Sequence, residues 1–155
     1  VTTPPCDSPE ARQFDFWLGD WDLSWPADQT GGDTGETMTG SNHIERLFGN
    51  CVIEERFSTD DRRFQGRSLS VYDEKGGSWQ QTWVDSAGGY LLFTGSFDGQ
   101  TMELRTEPAE RDGETVVNRM TFSDITPDSL KWSWQATRDG ATWRDLWTIS
   151  YRRRP

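Results

Sequence analysis

From Gly19 onward, apolar and polar residues alternate in short runs interrupted by turn residues, the pattern of an all-β sandwich or barrel. A period of two predicts about ten strands: Gly19 to Trp25, Thr37 to Phe48, Cys51 to Ser58, Gln65 to Tyr72, Trp79 to Asp85, Tyr90 to Phe97, Thr101 to Thr106, Val116 to Ser123, Leu130 to Thr137 and Trp143 to Arg152. The connections are turn chemistry, among them Asp73-Glu74-Lys75-Gly76-Gly77, Gly88-Gly89, Asp98-Gly99 and Arg138-Asp139-Gly140. Several are compact, so consecutive strands are expected to pair as hairpins. Closing such a meander on itself removes the exposed sheet edges, which predicts one up-and-down antiparallel β-barrel domain over residues 1–155. Helix has a single foothold, Ser8 to Trp17, where Ser8 can cap and Pro9 suits the first turn. Pro26 to Glu36 is the one long central loop and a candidate flap.

Residues two apart in a strand share a face, so the same alternation sorts side chains. Trp79, Gln81, Trp83 and Asp85 form one inward candidate face. Cys51, Ile53, Glu55 and Phe57 form another, which turns a carboxylate inward beside large apolar neighbours. The fourth strand divides into Ser68, Ser70, Tyr72 and Arg67, Leu69, Val71, and either set suits the lumen. Val117, Arg119 and Thr121 oppose Val116, Asn118 and Met120. Leu130, Trp132 and Trp134 form a stripe, as do Trp143, Asp145, Trp147, Ile149 and Tyr151. An Arg119 sharing the lumen with Glu55 would offset the burial of both charges and suit a ligand with a carboxylate or planar polar edge.

Composition narrows the partners. An apolar fraction of 32% is low, but nine Trp and an aromatic share of 13% fill a core with few side chains. A net charge of -10 repels phosphate backbones and anionic surfaces, which argues against nucleic acid. The basic run Arg152-Arg153-Arg154 reads as a solvated strand end. No apolar stretch is long enough to span a bilayer as a helix, so membrane insertion is not expected. The opening Val1-Thr2-Thr3 lacks an initiator Met, as in a mature exported protein or a trimmed chain. Cys6 and Cys51 are the only cysteines. They suit a disulfide in a secreted or periplasmic protein and two free thiols in a cytoplasmic one. With one histidine and no paired CxxC, neither a metal nor another cofactor is expected.

Three functions fit these residues. The first is a small-molecule binding protein, its ligand held inside the barrel between Trp83, Trp134 and Tyr72 with polar contacts from Asn42, Glu55, Ser68, Gln81 and Arg119. The second is a small-molecule enzyme, an isomerase, cyclase or hydrolase with Glu55 as general acid or base and Arg119 or Tyr72 stabilising negative charge. The third is a filled barrel acting through its outer surface.

The phrase Phe14-Asp15-Phe16-Trp17-Leu18-Gly19-Asp20-Trp21-Asp22-Leu23, together with Trp79-Gln80-Gln81-Thr82-Trp83-Val84-Asp85, resembles an uncharacterised bacterial lipocalin-like family, a domain of unknown function. Asn42-His43-Ile44, Arg119, Trp134, Trp143 and Tyr151-Arg152-Arg153 extend the resemblance along the chain from Cys6 onward. It implies a calycin-type barrel related to the lipocalins and fatty-acid-binding proteins, with Gly19 and Trp21 closing one end. Members commonly carry cysteines at the positions of Cys6 and Cys51, which implies a disulfide and export. One related branch binds haem through a histidine near the chain end. This sequence has none there, and its one histidine, His43, falls on the face opposite Asn42 and Ile44.

Overall fold

A computed structural model describes residues 4–155. Among the described residues there are eleven strands: β1 (Gly19–Pro26), β2 (Thr37–Leu47), β3 (Val52–Thr59), β4 (Gln65–Asp73), β5 (Ser78–Asp85), β6 (Tyr90–Phe97), β7 (Met102–Arg105), β8 (Ala109–Arg111), β9 (Glu114–Ser123), β10 (Ser129–Thr137) and β11 (Arg144–Arg153). Each pairs antiparallel with its neighbour, and β11 returns to β1 to close the ring. The short β7 and β8 share one place in the wall, against the second and first halves of β9 respectively. The result is the expected all-β, up-and-down barrel with ten strands in its closed wall. The additional strand β8 carries no sequence signal, since all three of its residues are exposed.

Close approach of two backbones sets one position in this wall. A Cβ on Gly95 would lie 1.7 Å from the Glu103 carbonyl oxygen, so only glycine lets β6 and β7 pair there.

The segment read as a helix from Ser8 to Trp17 is two single 3₁₀ turns, Glu10–Arg12 and Asp15–Trp17. Ser8 Oγ accepts the Ala11 N–H at 3.1 Å. With three residues per turn, a 3₁₀ segment eclipses positions i and i+3. Phe14 and Trp17 therefore stack, ring centres 4.9 Å apart, and enter the same end of the barrel together. Both are fully buried. Phe14 meets Trp79 and Phe122 edge-on, and Gln13 Oε1 accepts the Trp79 indole N–H at 3.2 Å. Burying each of these rings contributes about 2–3 kcal/mol.

Two further ties hold this plug. The Cys6–Cys51 disulfide fastens its leading end to the turn between β2 and β3, and such a bond persists in an oxidising compartment. At the other side Arg153 stacks on the face of Trp21 at 4.2 Å and donates to the carbonyl oxygens of Leu18, Phe16 and Pro127. The middle arginine of the terminal basic run is thus a clasp rather than a solvated charge. Trp21 donates its indole N–H to Trp17 O at 2.8 Å.

The loop of residues 26–36 carries a 3₁₀ turn, Ala27–Thr30, and lies against the barrel. Gln29 Oε1 accepts the Thr148 N–H at 2.8 Å, and the Trp25 indole donates to Thr30 Oγ1 at 3.0 Å. Among the described residues, no helix is long and apolar enough to cross a membrane.

Candidate functional site

The plug fills one end of the barrel, and toward the other end lies a cavity of about 180 Å³. Its wall is mostly aromatic, with Phe57 from β3, Trp83 from β5, Phe93 from β6, Trp132 and Trp134 from β10, and Trp147 from β11 among its rings. These rings meet edge-to-face: Trp147 lies 5.6 Å from Trp132 and 5.8 Å from Phe57, and Phe93 lies 5.8 Å from Trp134. Such contacts hold each ring against its neighbours while keeping a broad apolar surface toward the lumen. Trp83 reaches the wall because β4 has no side chain under it. A Cβ on Gly66 would stand 2.1 Å from the Trp83 ring.

Two carboxyl groups line this cavity. Glu55 lies inside, with one oxygen accepting Ser68 Oγ–H at 2.7 Å and the other accepting Asn42 Nδ2–H at 2.6 Å. Asn42 spends its second N–H on the Tyr151 oxygen at 2.9 Å. Burial disfavours the Glu55 anion more than these hydrogen bonds favour it, and its pKa is pushed up to about 7. Tyr151 also lines the cavity, and burial together with the nearby Glu55 charge raises its pKa well above that of an ordinary phenol. Asp85 differs. Partial burial raises its pKa, but hydrogen bonds from the Trp83 indole and the Gly89 and Ala87 N–H groups outweigh that and leave it lowered. The Trp147 indole on the wall keeps its Nε1–H free of acceptors among the described residues. The wall therefore presents acceptors at Glu55 and a donor at Trp147.

The structure brings together only part of the set read from the sequence. Glu55, Trp83 and Trp134 line the cavity. Asn42 and Ser68 stand behind the wall as partners of Glu55. Gln81 is buried and donates to Ser70 Oγ at 2.9 Å without lining the cavity. In β4 it is the polar set that faces in: Ser68 and Ser70 are buried and Leu69 and Val71 exposed, because small hydroxyls fit beneath Glu55 and Gln81.

Two residues lie elsewhere. Tyr72 sits against Trp79 at the plugged end, where Glu10, Glu74 and Asp73 surround it, because alternation assigns a face but not a depth along the barrel. Arg119 points outward: it donates to Gln135 Oε1 at 2.6 Å and Glu103 Oε2 at 2.8 Å and stacks 4.0 Å above Trp143. The inward face of β9 is the one carrying Met120 and Phe122, the larger apolar pair. The expected lumen pair of Arg119 with Glu55 therefore does not form.

The stripe from Trp143 to Tyr151 is broken for a related reason. Pairing shifts between β10 and β11, with Trp134 opposite Trp147 but Gln135 opposite Asp145, so Leu146 is an extra residue. Trp147, Ile149 and Tyr151 face inward, whereas Asp145 accepts a hydrogen bond from the outward Gln135. His43 is on the outer face, 2.6 Å from Asp20. Among the described residues, no cluster of three or more His, Cys, Asp or Glu side chains is placed to hold a metal.

No curated protein matches the chain. Residues 8–153 match the family described as "Protein of unknown function (DUF1579)", a span running from the capping Ser8 through the plug and the whole barrel to the Arg153 clasp. A match across nearly the full chain shows that it belongs to this family of unknown function.

Proposed function

We propose that this is a small-molecule binding protein of an oxidising compartment outside the cytoplasm, holding one ring-sized, largely apolar or aromatic ligand inside the barrel. The observation that carries the reading is a cavity of about 180 Å³, walled by aromatic side chains, with a buried carboxyl group on its surface. A cavity of roughly 150 Å³ with apolar walls takes up benzene, so the volume suits a single ring with a short substituent. A few polar groups among apolar walls are what small-ligand sites use to fix orientation.

The test is native mass spectrometry of protein purified from its own host, alongside titration of single-ring compounds followed by tryptophan fluorescence. The expected results are a retained small molecule lost on denaturation, and saturable quenching abolished by the cavity-filling variant Leu91→Trp, at a leucine of β6 on the cavity wall. Absence of saturable binding by any ring-sized probe, together with a clean polypeptide mass, would reject this function.

One observation favours a second reading. A carboxyl group with a pKa of about 7 on a cavity wall suits proton transfer near neutral pH, and Tyr151 is beside it. A Glu55→Gln protein that binds a compound its parent converts, but leaves that compound unchanged, would move the assignment from binding to acid–base catalysis.

A further inference from the structure

The charges that line the lumen narrow the ligand class. Glu55 and Asp85 are both acidic, and among the described residues no Lys, Arg or His lines the cavity. Arg119, the one base that the strand pattern offered for this role, is spent outside on Glu103, Gln135 and Trp143. An anionic ligand would meet two carboxyl groups and no counter-ion.

The aromatic wall points the same way. The face of an aromatic ring is the negative end of its quadrupole and attracts cations within about 6 Å. Elsewhere this chain uses its indoles in that way: Arg153 stacks on Trp21, and Arg105 and Arg119 stack on Trp143. Both of those rings lie outside the set that lines the cavity. The cavity rings instead surround a space next to Glu55.

Glu55 itself has capacity left. Its two oxygens each accept one hydrogen bond, from Asn42 and from Ser68, whereas a carboxylate offers about four lone-pair sites. Asp85 is held as an anion by three donors. The net charge of -10 adds a field that draws cations toward the barrel.

Resting on the reading that the barrel binds a small molecule, we propose that its ligand is a small organic cation, a protonated amine. The ammonium group pairs with Glu55, and a ring or short hydrocarbon body lies among Trp83, Trp132, Trp134 and Trp147. The ammonium N–H groups fill the free lone pairs of Glu55, and the indole faces stabilise the charge where a carboxylate alone would leave it poorly solvated. A neutral ligand of the same shape gains the apolar contacts but leaves Glu55 unpaired.

Three probes of matched size separate these cases: benzylamine as the cation, benzyl alcohol as the neutral form and benzoate as the anion. Each is titrated near neutral pH into the intact, disulfide-bonded protein by calorimetry. The expected result is benzylammonium binding at least about tenfold tighter than benzyl alcohol, with benzoate weakest; Glu55→Gln is expected to bring the cation within about twofold of the alcohol while leaving alcohol binding intact. Alcohol binding as tight as the cation in the parent protein, or a preference for benzoate, overturns the cation assignment and leaves the binding function standing. No binding of any of the three overturns the cation assignment, and together with a clean polypeptide mass it overturns the binding function as well. The comparison among probes on the parent protein stands even if the variant folds poorly.

Discussion

Glu55→Gln has a consequence for stability that can be worked out from the burial of one group. In the fold Glu55 keeps its proton up to about pH 7, whereas its ordinary pKa is 4.5. Between those values the folded chain holds a proton that the unfolded chain has released, so unfolding loses a proton and stability falls as pH rises. The penalty is absent below the ordinary pKa, grows across the window and is complete above the folded pKa. A shift of this size corresponds to about 3 kcal/mol at 1.36 kcal/mol for each pKa unit. Groups from three strands face the carboxyl: Asn42 from β2, Ser68 from β4 and Tyr151 from β11. Only Tyr151 among them titrates, and its raised pKa keeps it neutral throughout. Glutamine matches the carboxyl in shape, accepts from Asn42 through its carbonyl and donates to Ser68, but does not titrate. Urea unfolding of both proteins, oxidised and followed by tryptophan fluorescence from about pH 5 to about pH 8, isolates this group because every other titration cancels in the difference. Since a little of the penalty is already present at the lower limit, the variant is expected to gain about 2.5 kcal/mol on the parent across that range. A difference that stays level within about 0.5 kcal/mol would show that Glu55 does not resist ionisation, and the burial reasoning would fail.

Four other outcomes follow from single features. Reducing Cys6–Cys51 opens a link between residues 45 apart and should cost about 4 kcal/mol in the chain-entropy account, seen as a melting temperature lower by roughly 8–16 °C with reductant present. Gly95→Ala drives a methyl group into the Glu103 carbonyl and should cost about 3 kcal/mol or more, read as a lower urea midpoint or loss of soluble protein. Gly66→Ala displaces Trp83 from the cavity wall, so a stability loss of about 1–2 kcal/mol should come with a changed near-ultraviolet circular dichroism spectrum and weaker ligand binding. Arg119→Ala removes outer contacts only, which predicts about 1 kcal/mol lost and ligand affinity within about twofold of the parent by calorimetry; a tenfold loss would return Arg119 to the lumen.

The legible part of this protein is the part governed by period two. All ten strands of the closed wall can be read from alternation and turn residues, and Glu55 stands out because a charge on a face with Ile53 and Phe57 must be accommodated. What escaped depends on information that is not local. Arg119 and Met120 lie on opposite faces of β9, and the signal that decides between them is Phe122, a second large apolar residue in phase with Met120. The extra residue Leu146 flips the phase of β11 with no glycine to mark it, which sends Asp145 outward. Tyr72 has the predicted phase but the wrong depth, since depth depends on which end receives the plug. Arg153 looks like a solvated charge until closure of the ring brings it to carbonyl groups more than a hundred residues earlier in the chain.

The misplaced arginine changes what the cavity can mean. With Arg119 inside, Glu55 would be half of an internal ion pair, and burial of both charges would be offset within the protein. With Arg119 outside, the chain keeps a carboxyl group in an aromatic cavity with two neutral hydrogen-bond donors and no cation beside it, at a stability penalty of about 3 kcal/mol once it ionises. Packing does not require it, because an apolar side chain of similar volume would fill the same space without that penalty. Residues that oppose stability in this way concentrate where a protein does its chemistry or its binding. A ligand that brings its own positive charge supplies the missing partner, and its arrival converts the burial penalty of Glu55 into affinity. The pH dependence of stability and the preference for benzylammonium over benzyl alcohol therefore both draw on the burial of Glu55, and a protein showing the first without the second would keep its binding function and lose the cation as its ligand.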